Sequence, residues 1–165
     1  MAGFSNSVEN KLRLAGWFPG RQIAVTRYEE AFGLAGYRHP YWPSILPGPV
    51  RQFLSEFGDL DMVFNADELN LRLALNPVSA SQSLSYSGEK LSLGEGTKQD
   101  YWPVGSLYRL NSMGKTYDIE ILIIGADGRV YSTDGPTVYL IAETGPDAIE
   151  SLLTAPNCYV AAYEQ

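Results

Sequence analysis

Cysteine is almost absent from this chain, with Cys158 the single thiol among 165 residues. No internal disulfide can form, so the fold must be held by packing, as suits a reducing compartment. Histidine is equally scarce, with His39 alone. Two soft ligands far apart in sequence are too few for a zinc shell, and no metal or other cofactor is expected. His39, next to Pro40, reads as a loop histidine, and Cys158, close to Val160 and Ala161, as a buried inert thiol. Long apolar runs are also missing, which excludes a membrane-spanning helix. Ser5, Asn6, Ser7, Glu9 and Asn10 stand where a secretory signal would need apolar residues, so the expected location is cytoplasmic.

Positive charge is in short supply too. Twelve Lys and Arg face 19 Asp and Glu, for a net charge of −7. A surface of that sign repels phosphates, so direct nucleic-acid binding is disfavoured and a basic protein partner is favoured. Phosphate-binding loops are lacking as well. Gly114-Lys115-Thr116 resembles the end of a P-loop, but Arg109 occupies the place of the motif's earlier glycine. Gly94 and Gly96 begin a dinucleotide fingerprint that Gln99 breaks. Carboxylates are plentiful, yet Glu29 and Glu30 diverge around a helix, and Asp118 and Glu120, on one strand face, read as surface acids.

What is present begins with one domain's length and a core's worth of apolar residues, 45% of the chain. Charge is unevenly spread. Residues 1–51 sum to +3, 52–71 to −5 with no Lys or Arg, 72–116 to +2 and 117–165 to −7. The acids of the second block, Glu56, Asp59, Asp61, Asp67 and Glu68, are the candidate partner-binding groups. Their alternative role is to be solvated and keep the protein soluble. Trp42, in a proline-rich loop, is equally open to packing or to anchoring a partner, whereas Trp102 is expected in the core.

The pattern of elements is helices, a meander, then a helix. Val8, Leu12 and Ala15 share one helical face, with Asn6 and Glu9 spaced as a capping box; Gly16 then reads as a left-handed C-cap. Pro19-Gly20 has type II turn chemistry. Trp17 is expected to be buried with its N–H on a backbone carbonyl, and Arg21 to be tied to carbonyls or a carboxylate near the turn. Thr26 and Glu29 repeat the capping-box spacing ahead of a second helix closed by Gly36, and Val50, Phe53, Leu54 and Phe57 mark a third that ends at Gly58. Short strands are expected at Met62–Phe64 and around Leu71, Leu73 and Leu75, with Pro77 stopping the second. For the serine-rich stretch 78–100, a weak helix and an ordered loop both remain open. Strands follow at Leu107–Leu110, Tyr117–Ile124 and Val138–Ala142, with an Asp127-Gly128 hairpin turn and a last helix that has Pro146 at its first position and carries Ile149, Leu152 and Leu153. Segregated helices and strands argue for an α+β domain with an antiparallel meander.

These segments carry a resemblance. LRLAGWFPGR from Leu12, GYRHP from Gly36, VRQFLSEFGDL from Val50, LNP at Leu75, PVG at Pro103, GRVY at Gly128 and GPDAIESLL from Gly145 together resemble the SUKH superfamily, specifically its third subgroup of bacterial immunity proteins. The order and spacing, more than any one motif, carry the match. Asp59 departs from it, because the family pattern usually has a second glycine there. The resemblance implies a single SUKH-like domain spanning 1–165, without catalysis, that binds and neutralises a cognate toxin, often a nuclease, encoded beside it. Two other readings stay open: a regulatory scaffold, which would lack a neighbouring toxin gene, and a small hydrolase, which would need converging carboxylates in a pocket. The sequence leaves the oligomeric state undetermined.

Overall fold

The structure, a computed structural model, describes residues 3–34, 46–66, 68–86, 101–134, 138–156 and 160–163. His39, Trp42, Asp67, Cys158, Gly36 and the segment 87–100 lie outside the described residues. Helices α1 (Asn6–Leu14), α2 (Thr26–Leu34) and α3 (Gly48–Phe57) come first. Strands β1 (Asp61–Ala66) and β2 (Leu69–Ala74), helix α4 (Pro77–Tyr86), and strands β3 (Tyr101–Leu110), β4 (Thr116–Gly125), β5 (Val130–Thr133) and β6 (Val138–Ala142) follow. Helix α5 (Gly145–Thr154) and strand β7 (Val160–Tyr163) close the chain. Among the described residues the strands form one seven-stranded sheet in sequence order, antiparallel throughout, which establishes the α+β class.

Alternation along the strands divides the apolar residues between two faces. On one face Met62, Phe64, Leu71, Leu73, Val104, Leu107, Leu122 and Ile124 meet Val8 and Leu12 of α1, the four-residue stripe of α3, and Ile149, Leu152 and Leu153 of α5. On the other, Tyr101, Ile121, Ile123, Tyr131 and Val138 pack with Ala80 of α4, and α4 lies over β3 and β4. Gly105 lets this happen at a register shift in β3, since a Cβ there would lie 2.7 Å from the Ala74 carbonyl oxygen.

The turn after α1 forms as its residues dictate. Gly16 has φ +94° and Gly20 φ +80°, and the Arg21 N–H donates to the Phe18 carbonyl at 3.0 Å, closing the type II turn. Trp17 is buried and meets Phe4 edge-on at 5.3 Å. Its indole N–H does not find the expected carbonyl, because the ring is seated among apolar side chains. Both expected capping boxes are also absent. The N-cap of α1 is Ser5, one residue early and without a side-chain bond, and Asn6 is already helical. Glu29 turns away from its own helix, accepting from the Leu46 N–H at 3.2 Å and from Arg51 at 2.5 Å, because an ionised donor competes better than a backbone amide.

Candidate functional site

The acidic block 52–71 runs from the last turn of α3 through β1 to the β1–β2 hairpin. The connection after α3 is tight. A Cβ on Gly58 would sit 2.4 Å from the Leu54 carbonyl oxygen, and the left-handed residue that usually follows a helix is Asp59, at φ +60°. That is the position where the resemblance calls for glycine, so the departure falls on a backbone that favours glycine. Asp59 compensates through its carboxylate. It accepts from the Tyr28 hydroxyl at 2.6 Å and forms an ion pair with Arg27, whose guanidinium lies 4.8 Å from the Tyr28 ring centroid and donates to the same hydroxyl at 3.0 Å. Burial pushes the Tyr28 hydroxyl above the usual tyrosine range against the opposing pull of Arg27.

Arg21 does what its place in the turn suggests. Its two terminal nitrogens donate to the Glu56 carbonyl at 2.7 Å and the Gly58 carbonyl at 2.8 Å, covering open acceptors at the C-terminus of α3. Burial holds this guanidinium below its ordinary pKa, although it stays charged. Glu56 therefore contributes its backbone to the fold and leaves its carboxylate half-exposed without an ion pair among the described residues.

Asp61 opens β1 and is gripped by a fork. Arg72, on β2, donates through Nε to one carboxylate oxygen at 2.8 Å and through Nη2 to the other at 2.5 Å. The hydrogen bonds from Arg72 lower the Asp61 pKa, more than burial raises it, and the Arg72 pKa rises in return. Glu68 sits at the hairpin tip with φ +66° and is exposed. Five strand steps of about 3.4 Å separate Asp61 from Ala66, so Glu68, in the turn beyond, lies more than about 17 Å from Asp61. The acids thus form a base group, Glu56, Asp59 and Asp61, and a tip at Glu68, with two of the base acids each neutralised by an arginine.

Sequence reasoning missed two further features. Asp118 and Glu120 do share a strand face, but Glu120 is buried rather than a surface acid, and Arg109 bonds both carboxylates, Glu120 at 2.6 Å. Burial works against the Arg109 charge, but the two carboxylates outweigh it and its pKa rises. A carboxylate pair committed to a fixed guanidinium is poorly arranged for acid–base exchange. The second is a row across four strands in register, Val63, Arg72, Tyr108 and Ile119, on the sheet face away from α1. Val63 is 64% exposed, and Arg72 lies 5.5 Å from the Tyr108 ring centroid. The signal for the row was the alternation of exposed positions in β1 and β2, which cannot be paired across strands without knowing the register. Among the described residues, no group of three or more His, Cys, Asp or Glu could hold a metal ion, and no helix is long and apolar enough to cross a membrane.

A family model described as SUKH-3 immunity protein matches residues 4–155. The chain belongs to the SUKH-3 immunity protein family. The match takes in every described element from α1 to α5 and stops before β7. No curated protein and no solved structure matches the chain. Membership in SUKH-3 points to an immunity role, the neutralising of a toxin, and to action by binding rather than catalysis.

Proposed function

We propose that this SUKH-3 protein neutralises a basic cognate toxin, a nuclease by preference, by stoichiometric non-enzymatic binding in the cytoplasm. The surface we assign to the toxin is the acidic run along α3, β1 and the hairpin, namely Glu56, Asp59, Asp61, Asp67 and Glu68, with Trp42 as an aromatic anchor. The family match carries the role, and the segregation of charge supports the surface, since residues 52–71 hold five acids and no base. Complementary fields speed encounter and fix orientation. Within the run the groups divide by task. Asp59 and Asp61 are already engaged by Arg27 and Arg72 and so hold the surface in shape. Glu56 and Glu68, without ion pairs among the described residues, are the acids that meet an incoming cation at least desolvation cost.

The test is a triple charge reversal, Glu56→Lys, Asp67→Lys and Glu68→Lys, which spares both arginine pairs and hence stability. Toxin affinity should fall at least tenfold, mostly through slower association, and protection of toxin-producing cells should fall with it. Unchanged affinity for the neighbouring toxin would remove this surface from the proposal.

A further inference from the structure

The sheet face away from α1 is laid out in rows across β1 to β4. In register stand Asp61, Ala74, Ser106 and Ile121, then Val63, Arg72, Tyr108 and Ile119, then Asn65, Asn70, Leu110 and Thr116. The first row is closed at its far end, since Ser106 and Ile121 are buried on the side where α4 packs. The other two rows are open. Val63, Asn65, Arg72, Thr116 and Ile119 are exposed, and Asn70, Tyr108 and Leu110 are half-buried. With neighbouring strands about 4.8 Å apart, the middle row runs about 14 Å across the sheet.

Its chemistry is that of an interface centre, where charge is depleted and tyrosine and arginine are enriched. The charged residues of the three rows are Asp61 and Arg72, and they neutralise each other. Arg72 is held by that fork and by the Tyr108 ring, so the row is ordered before a partner arrives and little entropy is lost on binding. Among the described residues, the other exposed large apolar side chains are Met113 and Tyr117, in the β3–β4 hairpin that continues this face, and Leu14 and Phe18, at the end of α1, which packs on the opposite face.

We propose that this face, centred on Val63, Tyr108 and Ile119, is the apolar core of the interface with the cognate toxin, which brings to it an apolar patch bordered by lysine or arginine on the side of the β1–β2 tip. The inference rests on the toxin-binding role proposed above and adds the residues that hold the complex together. Acids steer a basic partner but grip it weakly, because an exposed ion pair changes affinity by about fivefold at most. Glu56 and Glu68 therefore speed encounter, and a lasting complex needs buried apolar and aromatic contacts as well. Glu68 stands at the tip of the hairpin whose two strands supply half of each row. A toxin cation drawn to that tip carries its surroundings over Asn65 and Asn70 and onto the Val63 row. Lys115, exposed at the β3–β4 tip, has the opposite sign, so the two tips together fix the direction in which the toxin lies across the face.

The test uses the purified toxin encoded beside the chain and separates the two rates. Val63→Thr with Ile119→Thr keeps charge and β-branched shape while removing apolar surface, so circular dichroism should be unchanged, dissociation about tenfold faster or more, and association within about twofold. Glu68→Lys should act in the other way, chiefly slowing association. A footprint reads the same face without disturbing its centre. In a Cys158→Ser background, the thiol of Val63→Cys should be alkylated about tenfold more slowly or less once toxin is bound, whereas that of Leu14→Cys, at a position 91% exposed on α1, should react at an unchanged rate. A complex weakened by Glu68→Lys but indifferent to the threonine pair, with Val63→Cys still reactive, would overturn this face and leave the proposed function standing. No complex with the toxin would overturn both. Protection of Val63→Cys in the chain alone, growing with its concentration, would assign the face to a second copy and overturn the inference as well.

Discussion

Replacing Asp59 by alanine and, separately, by glycine separates two opposing effects at one position. Both variants lose the carboxylate that accepts the Tyr28 hydroxyl at 2.6 Å and pairs with Arg27. A hydrogen bond to an ionised group contributes about 1.5–3 kcal/mol, with the low end apt for this half-exposed acceptor. The ion pair adds only about 0.2–1 kcal/mol, because both side chains are more than a third exposed. Asp59→Ala should therefore destabilise by about 2–3 kcal/mol. Asp59→Gly loses the same contacts but relaxes the backbone at φ +60°, recovering about 1 kcal/mol. The signature is the order of the pair. In ordinary helix or strand, alanine exceeds glycine in stability by about 0.5–1 kcal/mol, and here glycine must exceed alanine by about as much. Urea unfolding reads this directly: at a slope of about 2 kcal/mol per M, the alanine midpoint falls by about 1–1.5 M and the glycine midpoint by about half that. Equal midpoints, or alanine above glycine, would refute the backbone argument. A glycine variant as stable as the wild type would refute the role given to the carboxylate.

Arg21→Ala should cost about 2 kcal/mol, seen as a melting temperature lower by about 4–8 °C, because two α3 carbonyls lose a charged donor; Arg21→Lys, lacking the fork, should recover less than half. Asp61, with its pKa lowered on folding, contributes stability that is present above the pKa of the unfolded chain and lost as pH falls below about 4, so Asp61→Asn should flatten acid unfolding in that window by well under 1 kcal/mol, given how exposed the pair is. Gly105→Ala should destabilise by about 2 kcal/mol or more in calorimetry, since its Cβ would press on the Ala74 carbonyl and on Leu75 Cδ2 at 2.9 Å, while Gly114→Ala, in open space but at φ +73°, should cost only about 1 kcal/mol.

Much of the fold could be read from local chemistry because local chemistry fixes it. The α3 stripe of Val50, Phe53, Leu54 and Phe57 is buried residue for residue, β6 has the expected bounds, and Asp127-Gly128 turns the chain with Gly128 at φ +90°. Thr144 caps α5 through the Asp147 N–H, just ahead of Pro146. What escaped was governed by distant partners. β2 ends at Ala74, short of Leu75 and Pro77, and Pro77 instead begins α4, since proline suits a first helical turn. β3 runs on through Pro103 and Gly105 because a register shift accommodates them, and β7 is too short to announce itself without β6 beside it. The candidate site divides in the same way. The acids of residues 52–71 are visible in sequence as a block, but Arg27, Arg72 and Tyr28 reach two of them only through tertiary structure. Arg109, likewise, meets Asp118 and Glu120 across a strand pair that no linear spacing reveals.

On the proposed function, this SUKH-3 protein protects by holding a toxin. The most direct measurement pairs the chain with the toxin encoded beside it, following cell survival and, on the purified proteins, the stoichiometry of the complex. Survival together with a stable complex of fixed stoichiometry, weakened by added salt and by the triple charge reversal at Glu56, Asp67 and Glu68, is the expected result. Survival without a complex, sustained by substoichiometric amounts of the chain, would point to catalysis and contradict the account.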